Sequence, residues 1–187
     1  MLEVVDPDII RISLPRIKNG LKKYLILQDA LYTCDVSRDR DFQRTYNGFY
    51  RMRQRKPEFY HLYYGYMEKH KQSEITFDAV LKYIYDETKR IEASFSSKLL
   101  ATINPDMPVW DVNVLSNLGI TAPRYKQQDR YNKTVDTYIK LQAWYGSYLD
   151  THNARDAIEI FDRIYPDTEI TAVKKIDLIL WSLGEKD

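Results

Sequence analysis

Cysteine is almost missing from this chain: Cys34 is the only one in 187 residues. A lone thiol excludes an internal disulfide framework and any zinc site built on a cysteine cluster. Glycine is also scarce, with six residues, and the seven prolines fall mostly at the edges of apolar segments. That distribution favours helices over a turn-rich sheet protein. No apolar run approaches the roughly 18 residues of a membrane span, so no membrane partner is expected. Net charge is nearly absent, because Lys+Arg 28 against Asp+Glu 27 leaves +1. The total therefore selects neither nucleic acid nor an acidic partner. Phosphate-cradling loops, Gly-x-Gly-x-x-Gly and Gly-x-Ser-x-Gly are all absent, and no cofactor is expected. His61, His70 and His152 have no metal-ligand spacing among them, so no metal is expected either. The opening Met-Leu-Glu-Val-Val-Asp-Pro-Asp lacks the basic and apolar regions of a signal peptide, and a cytoplasmic location is the default expectation.

What the chain does have is tyrosine, 16 residues of it, within a composition 44% hydrophobic and 29% charged. Those fractions describe an ordinary soluble globular protein. The tyrosines are most simply read as a wet-edged core whose rings pack while hydroxyls find partners.

Apolar residues recur at helical spacing along most of the length. Ile17, Leu21, Tyr24, Leu25, Leu27 and Leu31 mark a helix over 16–32. Ser37 or Asp39 caps a second, carrying Phe42, Tyr46, Phe49 and Met52 on one face. Pro57 opens a third and Thr76 caps a fourth. The fourth runs on to Ile91 or breaks near Arg90 into a fifth bearing Phe95, Leu99 and Ile103. Asn104-Pro105-Asp106-Met107-Pro108 is a turn, because two prolines three apart deny a helix its donors. Asp111 then opens a short helix that Gly119 ends, and 120–128 is a loop. Tyr131, Val135, Tyr138, Gln142, Tyr145 and Leu149 make an amphipathic stripe, followed by helices over 154–165 and 171–183. No alternating strand pattern exceeds four residues. The expected class is all-α with eight or nine helices, as one domain over 1–187 or as two lobes, 16–103 and 104–187.

Charge is uneven despite its balance. Ser37–Lys56 holds seven basic residues and two acidic ones, a local +5; Thr121–Lys133 is locally +3; the chain from Asp150 onward is −4. In the first segment the run Tyr46–Arg55 mixes Arg51, Arg53 and Arg55 with the aromatic surfaces of Tyr46, Phe49 and Tyr50, which suits phosphate contacts plus base stacking. Arg51 and Arg55, four apart on one helix face, form a clamp for a phosphate or carboxylate. The alternative is a solvated helix face with Tyr46 and Phe49 in the core. Asp111, behind Pro108-Val109-Trp110, is a carboxylate at a helix start, either a cap alone or a charge serving a pocket. Lys98 lies on the preceding helix.

Residues 92–119, with Phe95-Ser96-Ser97-Lys98, Asn104-Pro105 and Pro108-Val109-Trp110-Asp111-Val112-Asn113-Val114, resemble part of the helix-hairpin-helix DNA glycosylase superfamily. In that superfamily a helix of small residues leads through a proline turn into a Val-Asp-x-His-Val-like helix start. The resemblance implies a glycosylase-like helical arrangement, a DNA partner, and Asp111 as the catalytic carboxylate. Asn113 fills the family's His position, Trp110 is an extra residue, and the family's glycine hairpin has no counterpart between Gly65 and Gly119. The same core resembles an uncharacterised bacterial all-helical family, which supplies no activity to carry over. Two functions follow as expectations. One is a nucleic-acid-binding relative of the glycosylases, using Arg51, Arg53, Arg55, Arg124 and Lys98 on phosphates and Asp111 in a pocket. The other is a non-catalytic helical module that binds a protein partner.

Overall fold

A computed structural model describes residues 6–183. These residues contain helices and connecting turns, with no strand among them. Each expected helix is present, though the second stops at Phe49, short of Met52 and of the Arg51–Arg55 face expected on it, and Pro7–Ser13 adds a short further helix, α1. Asp6 starts α1 by accepting from the Asp8 amide, with Pro7 in the first turn.

The chain separates into two compact units. One is Lys18–Asn104; the other joins the described residues up to Ile17 to those from Pro105 onward.

The Lys18–Asn104 unit contains α2 (Lys18–Thr33), α3 (Arg40–Phe49), α4 (Pro57–His70), α5 (Phe77–Thr88) and α6 (Ala93–Ile103). Its centre is α6, in which every residue from Phe95 to Ile103 is buried. A helix enclosed on all sides needs small or apolar residues and internal partners for its hydroxyls. Ser96 donates to Glu92 O, Ser97 to Ser94 O and Thr102 to Lys98 O, so these hydroxyls cost little to bury. Helices α4 and α5 pack on α6, and α2 packs on α3. Asp39 caps α3 with bonds from the Asp41 and Phe42 amides, and Thr76 caps α5. Helix α5 ends at left-handed Lys89 (φ 55°), which resolves the break expected near Arg90.

Tyrosine fills much of this unit. Tyr46 and Tyr63 share a 2.8 Å hydroxyl contact, and Tyr63 donates to Phe95 O. Tyr64 donates to Asn47 Oδ1, and Tyr50 and Thr102 hydroxyls meet at 3.0 Å. These rings are buried and their hydroxyls paired, while Tyr60, Tyr66 and Tyr83 of the same unit are half-buried.

The second unit contains α1, a 3-10 turn (Leu14–Ile17), α7 (Val112–Asn117), α8 (Arg130–Leu149), α9 (His152–Ile164) and α10 (Ala172–Leu183). Here α10 is the centre, packed by all the others. The buried stripe on α8 is Thr134, Thr137, Tyr138, Leu141, Tyr145 and Tyr148. It is rotated from the expected one: Val135, Gln142 and Leu149 are only half-buried. Threonine explains the offset, since Thr134 and Thr137 bond the carbonyls of Arg130 and Lys133 and then bury their methyls. Among the described residues no helix is long and apolar enough to cross a membrane.

Candidate functional site

The chain reaches Asp111 through a stretch whose residues Pro108, Val109 and Trp110 are all buried. Asp111 is extended (φ −118°, ψ 145°), and its Oδ1 accepts from the Asn113 amide at 2.8 Å. It is therefore a true N-cap, half-buried, on a helix of six residues. That helix ends with Gly119 at φ 65°, where Ile120 N bonds Leu115 O and Gly119 N bonds Ser116 O. Two such bonds around a left-handed residue close a helix tightly.

Beneath the lead-in lies a polar network that sequence reasoning missed. Asp177, on α10, accepts from Lys174 Nζ at 2.9 Å, from the Tyr145 hydroxyl at 3.2 Å and from the Val109 amide at 3.4 Å. Tyr138 donates to Pro108 O at 2.9 Å. Lys174 is 3% exposed and Asp177 6%. Burial raises the Tyr145 hydroxyl well above its ordinary range, and the charges of Asp177 and, more weakly, Asp111 add to that. Burial, then the Asp177 charge, raises Tyr138 as well. One sequence signal was available: Lys174 and Asp177 are three apart, on one face of a helix otherwise polar only at Lys175 and Ser182.

The arginine segment departs from expectation. Arg51 and Arg55 do not share a helix face, because α3 stops at Phe49 and 50–56 is not helical. Tyr50 is the C-cap, Arg51 is left-handed (φ 47°), and Met52 N bonds Asn47 O. Arg51 thus takes the position a helix end ordinarily gives to glycine. Pro57 then starts α4, and a residue before proline is pushed to extended backbone, as Lys56 is at ψ 152°.

The six expected site residues divide as follows. Asp111 and Arg124 belong to the unit centred on α10, and Arg51, Arg53, Arg55 and Lys98 to the Lys18–Asn104 unit. Arg51, Arg53 and Arg124 are exposed. Arg55 is half-buried: its Nη2 donates to both Glu92 oxygens at 3.0 and 3.1 Å, and its guanidinium lies 4.8 Å from the Phe95 ring centre. Lys98 is 8% exposed and donates to Tyr50 O at 3.0 Å. Arg55 and Lys98 therefore tie the chain on either side of the 51–54 bend to α6, and a buried ammonium in that position does not reach a phosphate. Glu92, the partner that fixes Arg55, carries no local sequence signal.

Other exposed cations of the same sequence segment are Arg40 and Arg44 on α3 and Lys56 just before α4; Arg40 lies at the end of α3 opposite Arg51. Arg44 pairs with Asp41 at 3.2 Å, both side chains largely exposed, an interaction too weak to withdraw the arginine from another anion. Lys23 of α2 reaches the Arg51 end of α3, its Nζ lying 3.8 Å from where a Cβ on Gly48 would stand. Among the described residues no group of three or more His, Cys, Asp or Glu side chains is arranged to hold a metal ion. Cys34 is half-buried, and burial followed by the charge of Asp39 raises its thiol.

No protein-family model, no curated protein and no solved structure matches this chain.

Proposed function

We propose that this chain binds nucleic acid through the phosphate backbone, with the bend between α3 and α4 as its principal contact. The observation that carries this reading is Arg51, a long cation in the left-handed conformation at a helix end. That conformation costs a non-glycine residue about 1–2 kcal/mol. Backbone strain of this kind collects at functional sites. The strained arginine is exposed, as are Arg53 and Lys56 in the same bend and Arg40 and Arg44 along α3, all within a locally +5 segment. Arg124, exposed in the unit centred on α10, is a separate candidate for a phosphate contact. Asp111 is the candidate catalytic carboxylate by its resemblance to the glycosylase aspartate, on a lead-in held by Asp177 and Tyr138.

The test is retention on heparin and on a single-stranded oligonucleotide column at low salt, with elution on a salt gradient. Retention that vanishes by a few hundred millimolar salt supports the reading, since phosphate contacts weaken steeply with salt. Flow-through at low salt sinks it.

A protein-binding module is the second reading. It is favoured by Leu25, Ile26 and Tyr32 exposed on α2, and by Ile9 and Ile12 exposed on α1. Under that reading Ile26→Lys or Ile12→Lys abolishes partner capture and leaves heparin behaviour unchanged.

A further inference from the structure

The loop before α8 carries the most exposed large hydrophobic residue of those described, Tyr125, 84% exposed. A tyrosine left in water at a loop tip gains nothing from packing, so its position calls for another account. Arg124 and Lys126 flank it and are both exposed. The turn is closed on itself: Arg124 N donates to Gln127 Oε1 at 3.0 Å, and Gln127 N to Arg124 O at 3.0 Å. Tyr125 is thus held out between two cations.

Arg130, the first residue of α8, lays its guanidinium 5.5 Å from the Tyr125 ring centre. Its Nε is a buried donor without a hydrogen-bond partner. A cation against one ring face orients the tyrosine, and the exposure leaves the other face to solvent.

An aromatic face bracketed by cations at neighbour spacing matches one ligand chemistry: a flat base with phosphates on either side. In a duplex the base faces are covered by stacking, so a ring at a loop tip meets only unpaired bases. We infer that the 120–129 loop is a stacking platform for single-stranded nucleic acid, with Tyr125 under one base and Arg124 and Lys126 on the adjoining phosphates. Arg130 holds the ring in place and adds its charge. This rests on the nucleic-acid reading above and names the strand state it takes.

The test is fluorescence anisotropy with a labelled oligo-dT of about 12 nucleotides and a duplex of similar length, at about 50 mM salt. The wild type, Tyr125→Phe and Tyr125→Ala are compared, with circular dichroism as a fold control. Tyr125→Ala should weaken single-strand binding by about tenfold, Tyr125→Phe should bind like wild type, and duplex binding should be unmoved by either. Equal single-strand affinity of Tyr125→Ala and wild type overturns the platform and leaves the backbone-binding reading standing. Equal weakening on duplex and single strand also overturns it. Absence of any oligonucleotide binding overturns both, and binding instead to phosphatidylserine vesicles assigns the loop to a lipid surface.

Discussion

Lys174 Nζ lies 2.9 Å from Asp177 Oδ2 in the interior of its unit, with the Tyr145 hydroxyl and the Val109 amide on the other carboxylate oxygen. Taking both charges out of water is costly, and their attraction repays it only because the remaining lone pairs are satisfied. The pair therefore does more to fix Pro108–Asp111 in position than to add net stability.

Removing one partner of such a pair is far more damaging than removing both. Asp177→Ala should destabilise this unit by about 3–5 kcal/mol in urea unfolding, because a buried ammonium loses its opposite charge. Lys174→Met with Asp177→Leu should recover most of that loss. A double variant as unstable as Asp177→Ala contradicts the account.

Arg55 is assigned to the scaffold and Arg53 to the surface. Arg55→Ala should cost about 1.5–3 kcal/mol through the lost charge-assisted bonds to Glu92. Arg53→Ala, exposed, should change stability by less than about 0.5 kcal/mol. Chemical denaturation of the two variants separates the roles, and equal costs would refute the division.

For Asp111, Asn retains the capping oxygen and removes the charge. Asp111→Asn should unfold within a few tenths of a kcal/mol of wild type, and Asp111→Ala should lose about 1 kcal/mol. Any base-excision activity on an oligonucleotide should disappear in Asp111→Asn. Activity that persists in that variant returns Asp111 to capping alone.

Tyrosine burial sets the alkaline limit. Tyr46, Tyr63 and Tyr145 are held well above the ordinary value of 10.0, and Tyr64 and Tyr138 are also raised, in every case first by burial. Below pH 10 both folded and unfolded chains keep these protons, and stability does not depend on them. Above it the unfolded chain releases protons that the folded chain holds, so stability falls as pH rises. Each such hydroxyl removes about 1.4 kcal/mol per pH unit. Tyrosinate absorbance near 295 nm should rise together with loss of helical circular dichroism, within about two units above pH 10. Ionisation of all 16 tyrosines in a chain that stays helical would contradict this.

Helices were legible in the sequence wherever a local rule acts alone. Asp39, Thr76 and Asp111 each cap the helix expected of them, Pro57 opens α4, and Gly119 closes α7. Where a distant group decides, the sequence is silent. Glu92 takes Arg55, the Tyr50 carbonyl takes Lys98, and Asp177 gathers three donors from separate stretches. The α8 stripe was misread because threonine counts as polar until its hydroxyl bonds the preceding turn. The Arg51–Arg55 clamp failed because a helix end in a left-handed arginine has no composition signature.

The most direct measurement of nucleic-acid binding is the slope of log affinity against log salt for a single-stranded oligonucleotide, compared between wild type and Arg51→Gly/Arg53→Ala. Glycine suits the left-handed backbone at position 51, so the variant keeps its fold, which circular dichroism checks, while losing two charges. The account predicts steep salt dependence for wild type and a slope shallower by about 1.4 in the variant, about 0.7 for each phosphate contact removed. No binding at about 50 mM salt, or the same slope in both proteins, would contradict it.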